Sequence, residues 1–317
     1  MHTDFYNKKD SLEILSVDLL KEKELFSIFK YWSKCLGIEV GWHYPLDLIW
    51  IMKKIKESNI PNGATILDAG AGGGLLQFLL AHLGFNILSI DYAERNIPKI
   101  PSLFFDIRQK NVKHKFKSSY IKHLSDNFSD RPQSRLIKKT INKLKSLGKI
   151  SYIIFLKELT KSNKIKYGSI TLHKTDFKNM KEISDGSIDC IVSVSSLEHN
   201  NQKEIKEAVT EFNRVLKPGG PMFLTTSATE KENWFHKPSY GWCFSEKTLI
   251  DLFSLNNPDS NFDNYKTLFQ ELKNNQYLQE NLSSYYFHSE KSGMPYGKWN
   301  PLYQPVGITK YKQWPIL

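Results

Sequence analysis

The apolar positions change period several times along this chain, and each change marks an element. From Val17 to Leu36, the residues Leu19, Leu20, Leu25, Phe26, Phe29 and Trp32 recur at helical spacing, and Gly37 ends the run. The aromatic turn Gly41-Trp42-His43-Tyr44-Pro45 follows, and Pro45 opens a second helix to about Lys56. Short apolar runs then take over at Ala64 to Leu67, Asn86 to Ile90, Ser169 to His173, Gly186 to Val194 and Pro221 to Thr225. The fourth of these is apolar on both faces, as suits a central parallel strand. Helical stretches run from Leu75 to His82 and from Lys203 to Leu216, the latter broken by Lys217-Pro218-Gly219-Gly220. Ser245 to Phe253 reads as a helix with Ser245 at its N-cap. Leu282 to His288 and Tyr303 to Lys310 supply a sixth and a seventh strand. Strand and helix alternate, so the predicted fold is α/β, a doubly wound, Rossmann-like sheet of seven strands.

The alternation stalls once. Between Asp91 and Asp176 lie 84 residues. A strand-helix-strand step with ordinary loops needs about half of that, so roughly 40 residues are inserted, at about 100–165. Within them Ser134 to Leu147 patterns as a basic amphipathic helix, and Ser151 to Leu159 as a short helix or strand. Residues 1–60 form an N-terminal helical lid, or are helices that Trp42 and Tyr44 simply dock on the sheet. Residues 61–317 form the main domain, interrupted by the insertion.

Charge sharpens the insertion. The chain carries +11, but Arg95 to Ile170 alone holds 15 Lys and 4 Arg against 4 acids, leaving the rest at −4. Such a segment is a solvated embellishment, a surface for an anionic acceptor or partner, or a nucleic-acid surface with interleaved Lys115-Phe116-Lys117 and Tyr120. A composition of 40% hydrophobic and 13% aromatic residues fits a folded globular protein. There is no apolar run long enough to span a membrane, and the first residues lack a signal peptide's apolar core. Cys35, Cys190 and Cys243 are scattered, which suits a reducing cytoplasm and suggests neither a disulfide framework nor a metal site.

The chemistry centres on Asp68-Ala69-Gly70-Ala71-Gly72-Gly73-Gly74, a glycine loop between a strand and a helix. Glycine lets the backbone turn with positive φ and lets a ligand approach without a Cβ in the way. The next strand ends at Asp91, where an acid can take ribose hydroxyls. A dinucleotide fingerprint fails, because its last glycine would fall on Leu75. Asp68-x-Gly70-x-Gly72-x-Gly74 fits motif I of the class I S-adenosylmethionine (SAM) dependent methyltransferases. Leu197-Glu198-His199 after the fourth strand and Arg214-Val215-Leu216-Lys217-Pro218-Gly219-Gly220 before the fifth complete the resemblance to that family. It covers about residues 64–91 and 170–226, and not the insertion.

The resemblance implies SAM as cofactor. Asp68, Gly70, Ala71, Gly72 and Gly74 would shape the loop around its methionine end, Asp91 and Tyr92 would meet the ribose, Asp176 and Phe177 the adenine, and Ser195 the sulfonium side. A hydroxyl acceptor needs a base as well. The candidates are His199, His236 and Tyr240, with Glu198 and His43 behind them; His43 and Tyr44 are also lid candidates. Adenine or glutamine amino methylation in this fold usually places Asn/Asp-Pro-Pro-Tyr after the fourth strand, where this chain has Ser195-Ser196-Leu197-Glu198. Cys190 lies inside its strand and reads as a small buried residue rather than a nucleophile. The expectation is therefore methyl transfer to oxygen on a small-molecule or saccharide acceptor, anionic acceptors included. The alternatives are an RNA methyltransferase using the basic insertion and a non-catalytic SAM-fold binding protein.

Overall fold

The computed structural model describes residues 9–95, 101–110, 167–288 and 294–314. The two segments proposed within the insertion, at 134–147 and 151–159, and the Lys115-to-Tyr120 stretch lie outside the described residues.

The first strand, β1 (Ser11–Ile14), was not expected. It precedes α1 (Lys23–Leu36) and α2 (Tyr44–Glu57). The long helix foreseen from Val17 is split: a 3-10 turn covers Val17–Lys21, and the α-helix starts at Lys23. Gly37 closes α1 in the left-handed conformation at φ 64°. Then come β2 (Thr65–Ala69), α3 (Leu76–His82), β3 (Asn86–Asp91), β4 (Asp106–Lys110) and β5 (Ser169–Lys174). β6 (Cys190–Val194), α4 (Gln202–Val215) and β7 (Pro221–Ala228) continue the alternation. The C-terminal part adds β8 (Trp234–His236), β9 (Gly241–Phe244), α5 (Glu246–Phe253), β10 (Asp259–Ser260), α6 (Tyr265–Lys273), α7 (Gln276–Glu280) and β11 (Gln304–Tyr311).

The sheet runs β10-β1-β11-β7-β6-β2-β3-β5-β4, with β9 beside the end of β7 and β8 beside β9. From β4 to β11 it is a seven-stranded sheet in which β2 to β7 are parallel and β11 is antiparallel to β7. The membership differs from the expected seven. Leu282 to His288 is no strand: Ser284–Phe287 forms a 3-10 turn. Its place in the count is taken by β4, whose mostly exposed DIRQK sequence carries no strand pattern. The four other strands of the described residues lengthen the sheet at one edge (β1, β10) or fold over the end of β7 (β8, β9). Trp234 to Trp242 runs through this β8-β9 hairpin.

Two apolar clusters flank the sheet, which makes it doubly wound. On one face, α1, α2 and α3 bury Phe29, Trp32, Ile49, Trp50 and Leu79. On the other, α4 and α5 bury Ile205, Phe212, Leu249 and Phe253. α4 shows how sequence dictates placement. Ile205, Ala208, Val209, Phe212 and Val215 fall on one stripe, and Asn201 with Glu204 closes a capping box at its start. Truncating the fully buried Phe212 to Ala would cost about 3–5 kcal/mol. α2 is buried on most of its circumference and lies against the sheet, its Trp50 indole 6.3 Å from the Phe223 ring. Only its first turn, with His43 before it, reaches the carboxyl ends of the strands.

Candidate functional site

The parallel strands β2, β3, β5, β6 and β7 end on one side, where open α/β sheets take ligands. Two different constructions stand there: a loop held through its backbone, and a chamber that is a buried cluster of polar and aromatic side chains.

The loop leaves β2 at Gly70. Gly70 and Gly72 have φ of 69° and 50°, a region costly for residues with a Cβ. A Cβ on Gly70 would also lie 2.4 Å from Ser196 Oγ and 3.3 Å from the Phe177 ring. Ala71 donates its N–H to the Ile90 carbonyl at 3.0 Å, and Gly74 to the Ala71 carbonyl at 3.0 Å. Asp91 is buried and accepts from the Gly72 N–H through Oδ2 and the Ala93 N–H through Oδ1, each at 2.8 Å. Asp68 is 3% exposed, and burial pushes its carboxyl up to about 7, with Asp91 adding to the rise and Arg95 opposing it. Phe177 is buried under the loop against Phe212, ring centroids 6.1 Å apart. Asp176 is exposed, and its Oδ1 accepts the Lys178 N–H at 2.9 Å in a local turn; no helix follows it. Tyr92 is 76% exposed beside Asp91.

The turn after β6 joins loop and chamber. Ser193 Oγ donates to the Ala69 carbonyl at 2.8 Å and bonds Ser196 Oγ at 2.8 Å, so the serines pin the end of β6 to the end of β2. Ser195 is held at φ 42° although it is not glycine, and its buried Oγ has no partner among the described residues. Backbone strain of this kind costs about 1–3 kcal/mol and gathers at ligand sites.

The chamber beyond it is built by four distant segments. His43 is 4% exposed, and its Nδ1 lies 2.5 Å from Oδ2 of Asp47, one helical turn on. Asp47 is fully buried, and its Oδ1 has no partner among the described residues. Glu198 is 3% exposed, with Oε2 unpartnered; burial raises its carboxyl above the usual range, while His199 and His43 pull it down. The Tyr44 phenol is pushed well up by burial and by the nearby Glu198 and Asp47. His236 is buried; its Nδ1 is 2.7 Å from Ser239 Oγ, its ring 5.3 Å from that of Tyr303, and burial lowers its basicity. Trp42 and Tyr303 close the wall with ring centroids 5.3 Å apart.

The two leading base candidates from sequence divide. His236 lies in this chamber wall. His199 is exposed and spends Nδ1 on the Tyr240 carbonyl at 3.0 Å, and Tyr240 is itself 71% exposed. Asp47, Arg95, Ser239 and Tyr303 escaped notice in the sequence. Asp47 had a signal, since His43 and Asp47 are spaced i, i+4 at the head of a helix. Arg95, which holds the loop, had none. Among the described residues no group of His, Cys, Asp and Glu is arranged to hold a metal ion, and no helix is long and apolar enough to cross a membrane.

The residues suit a cofactor with a nucleoside and an amino-acid end. A Cβ would fill the cradle at Gly70, and the carboxyl ends of β2, β3 and β6 present Asp68, Asp91 and the unpartnered Ser195 hydroxyl to one side of the sheet. A 72-residue stretch is 33% identical to an rRNA adenine N-6-methyltransferase of Bacteroides fragilis; the match covers 23% of this chain and 27% of that enzyme's length. A candidate sarcosine dimethylglycine methyltransferase from Galdieria sulphuraria is similar over 90% of this chain and 98% of its own, at 15% identity and a TM-score of 0.45. The 1,6-didemethyltoxoflavin-N1-methyltransferase of Burkholderia thailandensis, solved with S-adenosylhomocysteine, is similar over 93% and 88%, at 9% identity and a TM-score of 0.43. A family profile described as a methyltransferase domain matches residues 51–257, and the chain therefore belongs to the methyltransferase-domain family, the class I SAM-dependent methyltransferases.

Proposed function

We propose that this protein transfers the methyl group of SAM to an oxygen atom of a small polar molecule held in the chamber, with His43 as the base. The observation that carries the reading is the buried His43–Asp47 pair at the carboxyl ends of the strands. SAM supplies an electrophilic methyl group on a positively charged sulfur. The protein's share is then proximity, alignment and, for a hydroxyl acceptor, removal of a proton. Gly70 to Gly74, Asp68, Asp91 and Ser195 bind and orient the cofactor, with Phe177 packed beneath the loop.

Asp47 accepts from His43 Nδ1–H and so fixes the ring orientation and tautomer. His43 Nε2, which makes no hydrogen bond among the described residues, takes the acceptor's proton. The unpartnered oxygens of Asp47 and Glu198 call for hydrogen-bond donors, because a buried acceptor without a partner costs about 1–3 kcal/mol. A small molecule with several hydroxyls supplies such donors. The rings of Trp42, Tyr44 and Tyr303 pack around the His43–Asp47 pair and keep water from it, and the first turn of α2 serves as the lid.

The test is methyl transfer from isotopically labelled SAM into a size-filtered small-molecule extract and, separately, into total RNA. Labelled product with an oxygen-linked methyl by NMR, absent with His43→Ala, is the expected result. A nitrogen-linked methyl, or full activity in His43→Ala, overturns the assignment. A second reading, RNA methylation, is favoured by the net +15 of residues 95–170. It predicts label in RNA and binding that weakens steeply with salt.

A further inference from the structure

Arg95 ends the short turn after β3, and its guanidinium folds back onto the glycine loop. Nη1 donates to the Gly72 carbonyl at 3.2 Å and to Ser89 Oγ at 2.6 Å, and Nη2 donates to the Ser89 carbonyl at 2.5 Å. The opposite backbone group of Gly72, its N–H, is taken by Asp91 Oδ2 at 2.8 Å. Gly72 is thus held at both polar groups while at φ 50°. The bonds continue. Ser89 Oγ donates to Gln77 Oε1 at 2.9 Å, and Gln77 Nε2 donates to the Gly74 carbonyl at 3.0 Å. Ser89 is 0% and Gln77 4% exposed, so the chain Arg95-Ser89-Gln77 runs beneath the loop and grips it at Gly72 and Gly74.

We propose that Arg95 is a positioning residue of the cofactor site: it ties the glycine loop to β3 and holds it in the shape that receives SAM. The inference rests on the reading that this loop binds the cofactor. Three features separate Arg95 from an ordinary strut. Among the described residues its hydrogen bonds go to the loop and to Ser89. Its charge sits near both Asp68 and Asp91, each of which favours its charged form. Its planar fork reaches Gly72 and Ser89 together, a geometry lysine cannot copy. Without Arg95, Asp68 and Asp91 face each other as like charges, and the Gly72 carbonyl loses a charge-assisted bond.

The experiment is calorimetric binding of S-adenosylhomocysteine to wild type, Arg95→Met and Arg95→Lys from pH 5.5 to 8.5, with melting temperature recorded for each. Arg95→Met should weaken binding roughly tenfold or more, the loss typical of a hydrogen bond to a charged group. It should also move the inflection of affinity against pH upward, because Asp68 loses the cation that opposes its protonation. Arg95→Lys should keep the wild-type inflection and regain only part of the affinity. Binding within twofold of wild type and an unmoved inflection in Arg95→Met overturn the proposal. Should Arg95→Met not fold, Arg95→Lys carries the test, and wild-type affinity there overturns it. Gly72→Val separates the two readings. If it abolishes binding while Arg95→Met does not, only the Arg95 role falls; if neither changes binding, the loop is not the cofactor site.

Discussion

The glycine loop and the chamber stand side by side at the same ends of the sheet, yet they are satisfied in opposite ways. Around the loop, both oxygens of Asp91 and both backbone groups of Gly72 are engaged, and Gln77 and Ser89 hold each other below. In the chamber, Asp47 and Glu198 each keep a buried oxygen with no partner among the described residues, and Ser195, in the turn that joins chamber and loop, keeps a third. Native proteins pair their buried polar groups, so a cluster of exceptions needs a reason. A preformed loop that receives one constant cofactor can be complete in itself. A chamber that must grip a particular small molecule leaves hydrogen-bonding capacity for it. The 195–199 turn serves both, with Ser196 packed on Gly70 and Glu198 facing the chamber.

Substitutions can break this contrast. His43→Ala strikes the chamber alone. It should lower the transfer rate roughly a hundred- to ten-thousand-fold, the usual share of a general base, and leave S-adenosylhomocysteine affinity within about twofold. Single-turnover rates on the acceptor identified by labelling check it, and an unchanged rate removes His43 as base. Gly70→Val strikes the loop alone. Positive φ and the clash with Ser196 should weaken cofactor binding by about a hundredfold, with the acceptor side intact. Calorimetry reads this loss directly, and wild-type affinity would detach the loop from the cofactor.

Acidity offers a gentler probe. Asp68 has its folded value raised from 3.8 to about 7, so between those limits the folded state binds a proton that the unfolded state has lost. Its contribution to stability is present at low pH and is lost as pH rises through about 7. Relative to Asp68→Asn, the cofactor-free wild type should therefore gain melting temperature on going from pH 7 to pH 4.5, and a constant difference between the two would refute the shift. The smallest effect is expected at Tyr240, whose side chain is 71% exposed. Tyr240→Phe should change the rate by less than about threefold, as for surface substitutions outside a site; a larger loss of rate would return Tyr240 to the list of bases.

The residues legible in advance share a physical property. Gly70, Gly72, Asp91 and the Lys217-Pro218-Gly219-Gly220 break act through local backbone geometry, which a few neighbouring letters encode. So do the strands β2, β3, β5, β6 and β7, each an apolar run bounded by turn residues. The errors are equally uniform. β4 forms by pairing with β5 with little apolar pattern of its own, β1 alternates Leu12 and Ile14 over only four residues and is placed by pairing with β11, and the β8-β9 hairpin is fixed by its seat on the end of β7. Leu282 to His288, apolar enough for a strand, finds no sheet edge and packs Tyr286 beside Trp42 instead, its hydroxyl accepting the Trp42 N–H at 3.1 Å.

By itself, then, the sequence determined the doubly wound fold, the family and the glycine loop, because hydrophobic period and glycine spacing are local quantities. Only the tertiary structure decided which polar residues share the chamber. His43, Glu198, His236 and Tyr303 lie far apart in the chain, and burial together, rather than any spacing, brings them to one place. The same holds for Arg95, an unremarked turn residue until the fold laid its guanidinium against Gly72.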